Sequence, residues 1–187
     1  SLRALDRIKL KGQVTTENGQ LISNFNGNLA VQLFDKNQDK VTLVNDGIGS
    51  PMSFKTLGET IFRGNATVTN GIFEIEFVVP KDIKIAVGEG KASFYAVKNS
   101  DILDDYTGAN TALKIGGVNE NAAEDNKAPQ IKLFMNDESF ISGGITNNAP
   151  LFLAHLEDEN GMNTASGIGH DMVAILDGDE NNPVVMN

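Results

Sequence analysis

Two alternating runs meet at Asn70-Gly71, and they constrain the chain more than any other feature. Thr60 to Thr69 leads in, and Ile72 to Val79 leads out. In the second run Phe73, Ile75, Phe77 and Val79 fall on one side, with Glu74 and Glu76 on the other. A period of two is that of a strand with one buried face. Asn-Gly accepts positive φ at both residues, which suits a two-residue hairpin turn. Pro80 closes the second run, because it has no N–H to give to a ladder. The aromatic stripe is therefore expected in a core. No window holds a sustained period of 3.6 free of Gly or Pro, so no helix of ordinary length is expected. Many short strands with frequent turn signals indicate an all-β chain, a sandwich or barrel.

Ile8, Leu10, Gly12 and Val14 alternate with Lys9, Lys11 and Gln13, which reads as a half-buried strand with a basic outer face. Leu29–Phe34 is a more apolar strand, closed by a turn at Asp35–Asp39, and Val41–Val44 follows as another. Residues 47–58 read as a loop. Ala92–Val97 is a strand in which Tyr95 is expected to pack. Residues 99–109 are polar and read as loop, and Leu113–Val118 is the last strand of a first module, residues 1–118. Residues 119–128 form a polar linker. A second module, residues 129–187, begins with a strand at Gln130–Met135, and Phe140 and Ile141 are expected to return to its core. Pro150–Leu156 is a strand, and a long polar, Gly-rich loop through Gly167–Asp171 joins it to a strand at Met172–Asp177. The expectation is two consecutive immunoglobulin-like β-sandwich modules. The second has about 60 residues, few for a closed sandwich, and is expected to be incomplete at its C-terminus. With no initiator Met at Ser1, the chain reads as a piece of something longer.

Charge narrows the partners. Residues 1–127 hold 14 basic and 16 acidic side chains, whereas residues 128–187 hold 1 basic and 9 acidic, for a net charge of −10 overall. Such a surface repels phosphate backbones and anionic lipid, so neither nucleic acid nor direct membrane insertion is expected. The chain has no Cys, which excludes disulfides, a thiolate nucleophile and Cys-ligated zinc. Its two histidines, His155 and His170, sit in no arrangement that orients an imidazole toward a hydroxyl. Nucleophile-elbow, phosphate-loop and paired-His zinc motifs are all missing. A hydrolase in its own right is not expected. No cofactor is required, but calcium is worth testing. Asp35, Asn37 and Asp39 show the alternating oxygen spacing that hard cations take, as do Asp177, Asp179 and Asn181. Lys40 and Asn182 occupy the sixth positions, where a calcium loop carries Gly. The same residues also serve as ordinary turn formers.

Several stretches in order resemble one family. They include Phe25-Asn26-Gly27, Phe34-Asp35-Lys36, Phe62-Arg63-Gly64, Asn70-Gly71 and Val79-Pro80-Lys81-Asp82-Ile83. Further on come Gly90-Lys91, Tyr95-Ala96, Met135-Asn136-Asp137, Gly143-Gly144, and the block Asp158-Glu159-Asn160-Gly161-Met162-Asn163 with Gly167-Ile168-Gly169-His170-Asp171. Together these resemble the β-sandwich region of gingipain-type cysteine peptidases, above all the C-terminal-signal sortases of the type IX secretion system of Bacteroidetes. In that family a Cys–His catalytic domain lies upstream of such modules. No position here matches its Cys or His, so the resemblance implies a non-catalytic accessory region. It implies a place at the cell envelope, on the outer membrane or cell surface. It implies as partners the upstream catalytic domain of the same polypeptide, and secreted cargo or outer-membrane secretion components. Asp158, Asn160, Asn163, His170 and Asp171 form the candidate contact loop, since long loops on rigid sheets often carry recognition. The alternative is an independent surface-binding module, an adhesin or glycan binder, stabilised by calcium. Against the glycan version, the chain has no Trp and only two tyrosines, Tyr95 and Tyr106.

Overall fold

The structure, a computed structural model, describes residues 1–100, 104–162 and 171–186. Among them every regular element is a strand. In chain order these are β1 (Leu2–Ala4), β2 (Arg7–Gln13), β3 (Gly27–Phe34), β4 (Gln38–Val41), β5 (Ser53–Thr56), β6 (Thr60–Val68) and β7 (Ile72–Val78). They continue as β8 (Gly88–Lys98), β9 (Asp105–Val118), β10 (Gln130–Met135), β11 (Phe152–Glu157), β12 (Val173–Ala174) and β13 (Val184–Val185). The chain divides into two compact units, Ser1–Ala122 with Asn163–Asn187, and Ala123–Met162.

The first unit contains a β-sandwich. One sheet has five strands in the order β1-β9-β8-β3-β6, and the other pairs β2 with β7. The sheets meet through rings. Phe62 of β6 stacks on Phe77 of β7 with centroids 4.1 Å apart, and Phe94 of β8 lies 5.9 Å from Phe73 of β7. On β3 the alternation is strict: Leu29, Val31 and Leu33 are buried between outward-facing neighbours. Phe73, Ile75, Phe77 and Val79 are buried too, as the hairpin pattern requires. Glu74 and Glu76 face out and meet the basic face of β2. Lys9 lies 2.5 Å from Glu74 and 2.7 Å from Glu76, and Lys11 lies 2.8 Å from Glu74.

The hairpin turn is the expected one. Asn70 and Gly71 have φ of 52° and 77°, and Ile72 donates its N–H to Thr69 O at 3.0 Å. The preceding segment clamps it: Asn70 N–H donates to Asn26 Oδ1 at 2.9 Å, and Gly71 N–H to Phe25 O at 2.8 Å.

Several expected boundaries differ. The expected loop at 99–109 gives way from Asp105, where β9 starts and runs unbroken to Val118. Its first half has β8 as its one strand neighbour and is largely exposed, so polar residues fill it. Gln38–Val41 replaces Val41–Val44 as the strand, and it pairs with Ser53–Thr56 inside the expected 47–58 loop. Both strands are largely exposed, so no burial pattern marks them. Val44 has a φ of 51° and cannot continue a strand. Tyr95 does not pack: it is 42% exposed, because Phe94 and Ala96 take the inward positions beside it. Leu2–Ala4, which carries no periodic signal, adds a parallel strand against Ile115–Val118.

In the second unit β10 and β11 pair antiparallel through six consecutive residues, from Gln130↔Glu157 to Met135↔Phe152. Phe140 is only half-buried and Ile141 is 80% exposed, so neither joins a core. The expected strand at Met172–Asp177 narrows to Val173–Ala174, paired with Val184–Val185. A turn with Asp177 at φ 52° ends it.

Candidate functional site

The contact-loop residues begin where β11 ends. Asp158 Oδ1 accepts the Asn160 N–H at 2.7 Å, and Asp158 O accepts the Gly161 N–H at 3.2 Å. This is a side-chain-closed turn of the kind Asp and Asn favour. Between them Glu159 pairs with Lys127 at 2.8 Å. The hydrogen bond from that ammonium holds the Glu159 carboxyl below the ordinary glutamate range, and the same bond raises Lys127. Asp171 is exposed just before β12. Asn163 and His170 lie outside the described residues, as does the 163–170 segment between them.

In each of the two cation sets one carboxylate, Asp35 or Asp179, already has partners within the chain. Asp35 is only 3% exposed at the end of β3. Its carboxylate takes the Lys36 ammonium at 2.6 Å and the Lys84 N–H at 3.4 Å. Lys36 also donates to Lys84 O at 2.8 Å and to Ile115 O at 3.4 Å. A buried acid is thus neutralised by an adjacent base, and the base ties three segments together. Asn37 and Asp39 are exposed beyond it, Asp39 within β4. In the other set, Asp179 accepts the Asn181 N–H at 3.2 Å and the Asn182 side-chain amide at 2.7 Å. Asp177 forms the positive-φ corner of that turn. Among the described residues no three His, Asp or Glu side chains are grouped to hold a metal.

On the outer face of the five-stranded sheet, the Tyr95 hydroxyl donates to Asp105 Oδ2 at 2.8 Å. That bond, helped by burial and by the negative charge, raises the phenol above its ordinary pKa. Tyr106 points inward instead, edge-on to Phe25 at 5.5 Å and 84°.

One feature has no counterpart in the sequence reading. A cleft of about 430 Å³ lies between β2 and β9. Leu10–Thr15 border one side and Tyr106–Asn110 the other, over a floor that includes Leu29, Phe73 and Phe94. Consecutive residues line each side, inward and outward ones alike, so strand edges frame the opening. No local signal marks it, because it depends on β2 and β9 becoming neighbours, and residues 99–109 were expected to be loop.

No helix among the described residues is long and apolar enough to cross a membrane. No family model matches the chain, and no curated protein matches it. Among solved structures it is similar to PorU from Porphyromonas gingivalis, whose crystal structure is that of a dimeric latent form. The two share 33% identity with a TM-score of 0.64, over 98% of this chain and 17% of that one. The resemblance read from the sequence is therefore to a PorU-like region, and the chain spans about a sixth of the protein it matches.

Proposed function

We propose, taking the chain as a PorU-like β-region, that it is a non-catalytic accessory part of a gingipain-like surface peptidase. In this reading it positions a catalytic domain carried elsewhere in the same polypeptide, or docks secreted cargo and outer-membrane secretion components. Its setting is the cell envelope. Residues 1–118 and 129–187 act as successive immunoglobulin-like modules, and Asp158, Asn160, Asn163, His170 and Asp171 form the contact loop. The observation that carries the reading is the match itself, 33% identical over 98% of a chain that holds no Cys to serve as nucleophile.

The test is an in-frame deletion of these residues from the full-length polypeptide. Cargo that keeps its C-terminal signal, with the truncated peptidase still present at the surface, is the expected result. Normal cargo processing would overturn the reading. An antibody against this region should detect a band far above 20 kDa in outer-membrane fractions. A soluble band near 20 kDa would favour a free-standing binding module.

The exposed face of Tyr95 favours a second reading, an adhesin or glycan-binding module, because a sugar ring needs an aromatic surface to stack on. Saturable glycan binding lost in Tyr95→Ala would support it.

A further inference from the structure

The sandwich is uneven: five strands stand on one side and two on the other. Among the described residues β2 pairs with β7 alone, and its second edge faces the cleft. In an antiparallel pair, alternate residues turn their N–H and C=O groups away from the partner, so about half of β2's backbone groups point outward. Across the cleft, the first half of β9 is paired on its β8 side, while β1 reaches only Ile115 to Val118.

Gly108 borders the opening. In register it stands opposite Phe94, and its neighbour Tyr106 stands opposite the buried Ala96, so its missing side chain belongs to the inward face. A Cβ built there meets nothing within 4 Å. A sheet that ends in an open edge, beside an apolar hollow, has the form of a strand-addition site.

We propose that β2 takes up an extended polypeptide strand in this cleft, with apolar side chains alternating with acidic ones. The apolar positions would fill the hollow above Leu29, Phe73 and Phe94. The intervening positions would lie on the outer face beside Lys9 and Lys11, whose side chains are 48% and 67% exposed. On the other side of those lysines β7 already places Glu74 and Glu76, so an acidic strand would repeat that arrangement. Cross-strand pairs of opposite charge favour acidic residues there over basic ones. The proposal does not depend on the accessory role argued above.

The test uses the 187-residue chain and a capped peptide of alternating Val and Glu, about nine residues long so as to span β2. Its control carries Lys for Glu. In calorimetric titration the Glu peptide should bind about tenfold or more tightly than the Lys peptide. Deuterium exchange should slow in Lys9 to Gln13. Gly108→Leu should abolish binding while leaving the melting midpoint intact. Lys11→Glu, a surface change, should reverse the preference between the peptides, and it keeps the test decisive if Gly108→Leu fails to fold. Equal affinity for both peptides, binding unaffected by both variants, or protection that avoids β2 would overturn the proposal. So would a self-association that Gly108→Leu dissolves while neither peptide binds, since the occupant would then be a second copy.

Discussion

The β-sandwich and the β10–β11 ribbon are built from the same backbone pairing, yet they bury very different amounts. Each is antiparallel over six or more residues, as in β2–β7 and β10–β11. Among the described residues, all sixteen buried hydrophobic ones nevertheless lie between Ala4 and Ile115. On β10, Ile131 and Leu133 are 61% and 56% exposed. Ladder hydrogen bonds are exchanged for bonds to water and contribute little net stability, whereas burial supplies most of the driving force. A two-stranded ribbon without a covered face is marginal in water. Stability is therefore expected to concentrate in one region, and substitutions should show it.

The largest effect is expected at Phe25, fully buried against Tyr106. Phe25→Ala should cost about 3–5 kcal/mol in denaturant unfolding, whereas Leu133→Ala should change it by less than about 0.5 kcal/mol. Equal costs would erase the contrast between the two regions. Next comes Lys36→Ala, which strands the buried Asp35 carboxylate and should cost about 3 kcal/mol. The double change Lys36→Met with Asp35→Asn should recover part of that loss. Gly71→Ala should cost about 1–3 kcal/mol, because φ is positive and the new Cβ would sit 2.5 Å from Ile22 O.

Acid should act more weakly. Hydrogen bonds from the Arg3 guanidinium, at 3.0 and 3.1 Å, hold the Asp6 carboxyl below the ordinary aspartate value. A depressed folded pKa gives stability that is complete above the unfolded value, about 3.9, and is lost as pH falls through the folded one. The melting advantage of the native chain over Asp6→Asn should therefore shrink below about pH 4. The smallest effect is expected from calcium, since Asp35 and Asp179 already have partners. Millimolar calcium should leave the melting midpoint in place. A rise abolished by Asp179→Ala or Asp35→Ala would reinstate a cation site.

The same contrast explains what could be read from the sequence. Strands β2, β3, β6, β7 and β8 were legible because one face of each meets the core and the other meets water, which writes a period of two into the residues. Strands β4 and β5 have no covered face, and the first half of β9 lies at an edge, so polar residues there looked like loop. The two-residue turn at Asn70-Gly71 was legible because its chemistry is local. The cleft was not, because it depends on which strands become neighbours, and β2 and β9 are brought together only by the sheet order. Of the contact-loop residues, Asp158 and Asn160 close a turn whose chemistry is local. The partner that a turn recognises leaves no such local trace.

The parallel pairing of Leu2 with Ile115 carries a consequence for time rather than shape. About 110 residues must be made before the first strand meets its neighbour, and long-range pairing of this kind slows folding. During synthesis Leu2–Ala4 would wait unpaired until Val118 had emerged. A chain cut between Lys98 and that point would lose the β1–β9 end of the sheet, while β3, β6 and β8 could still pair.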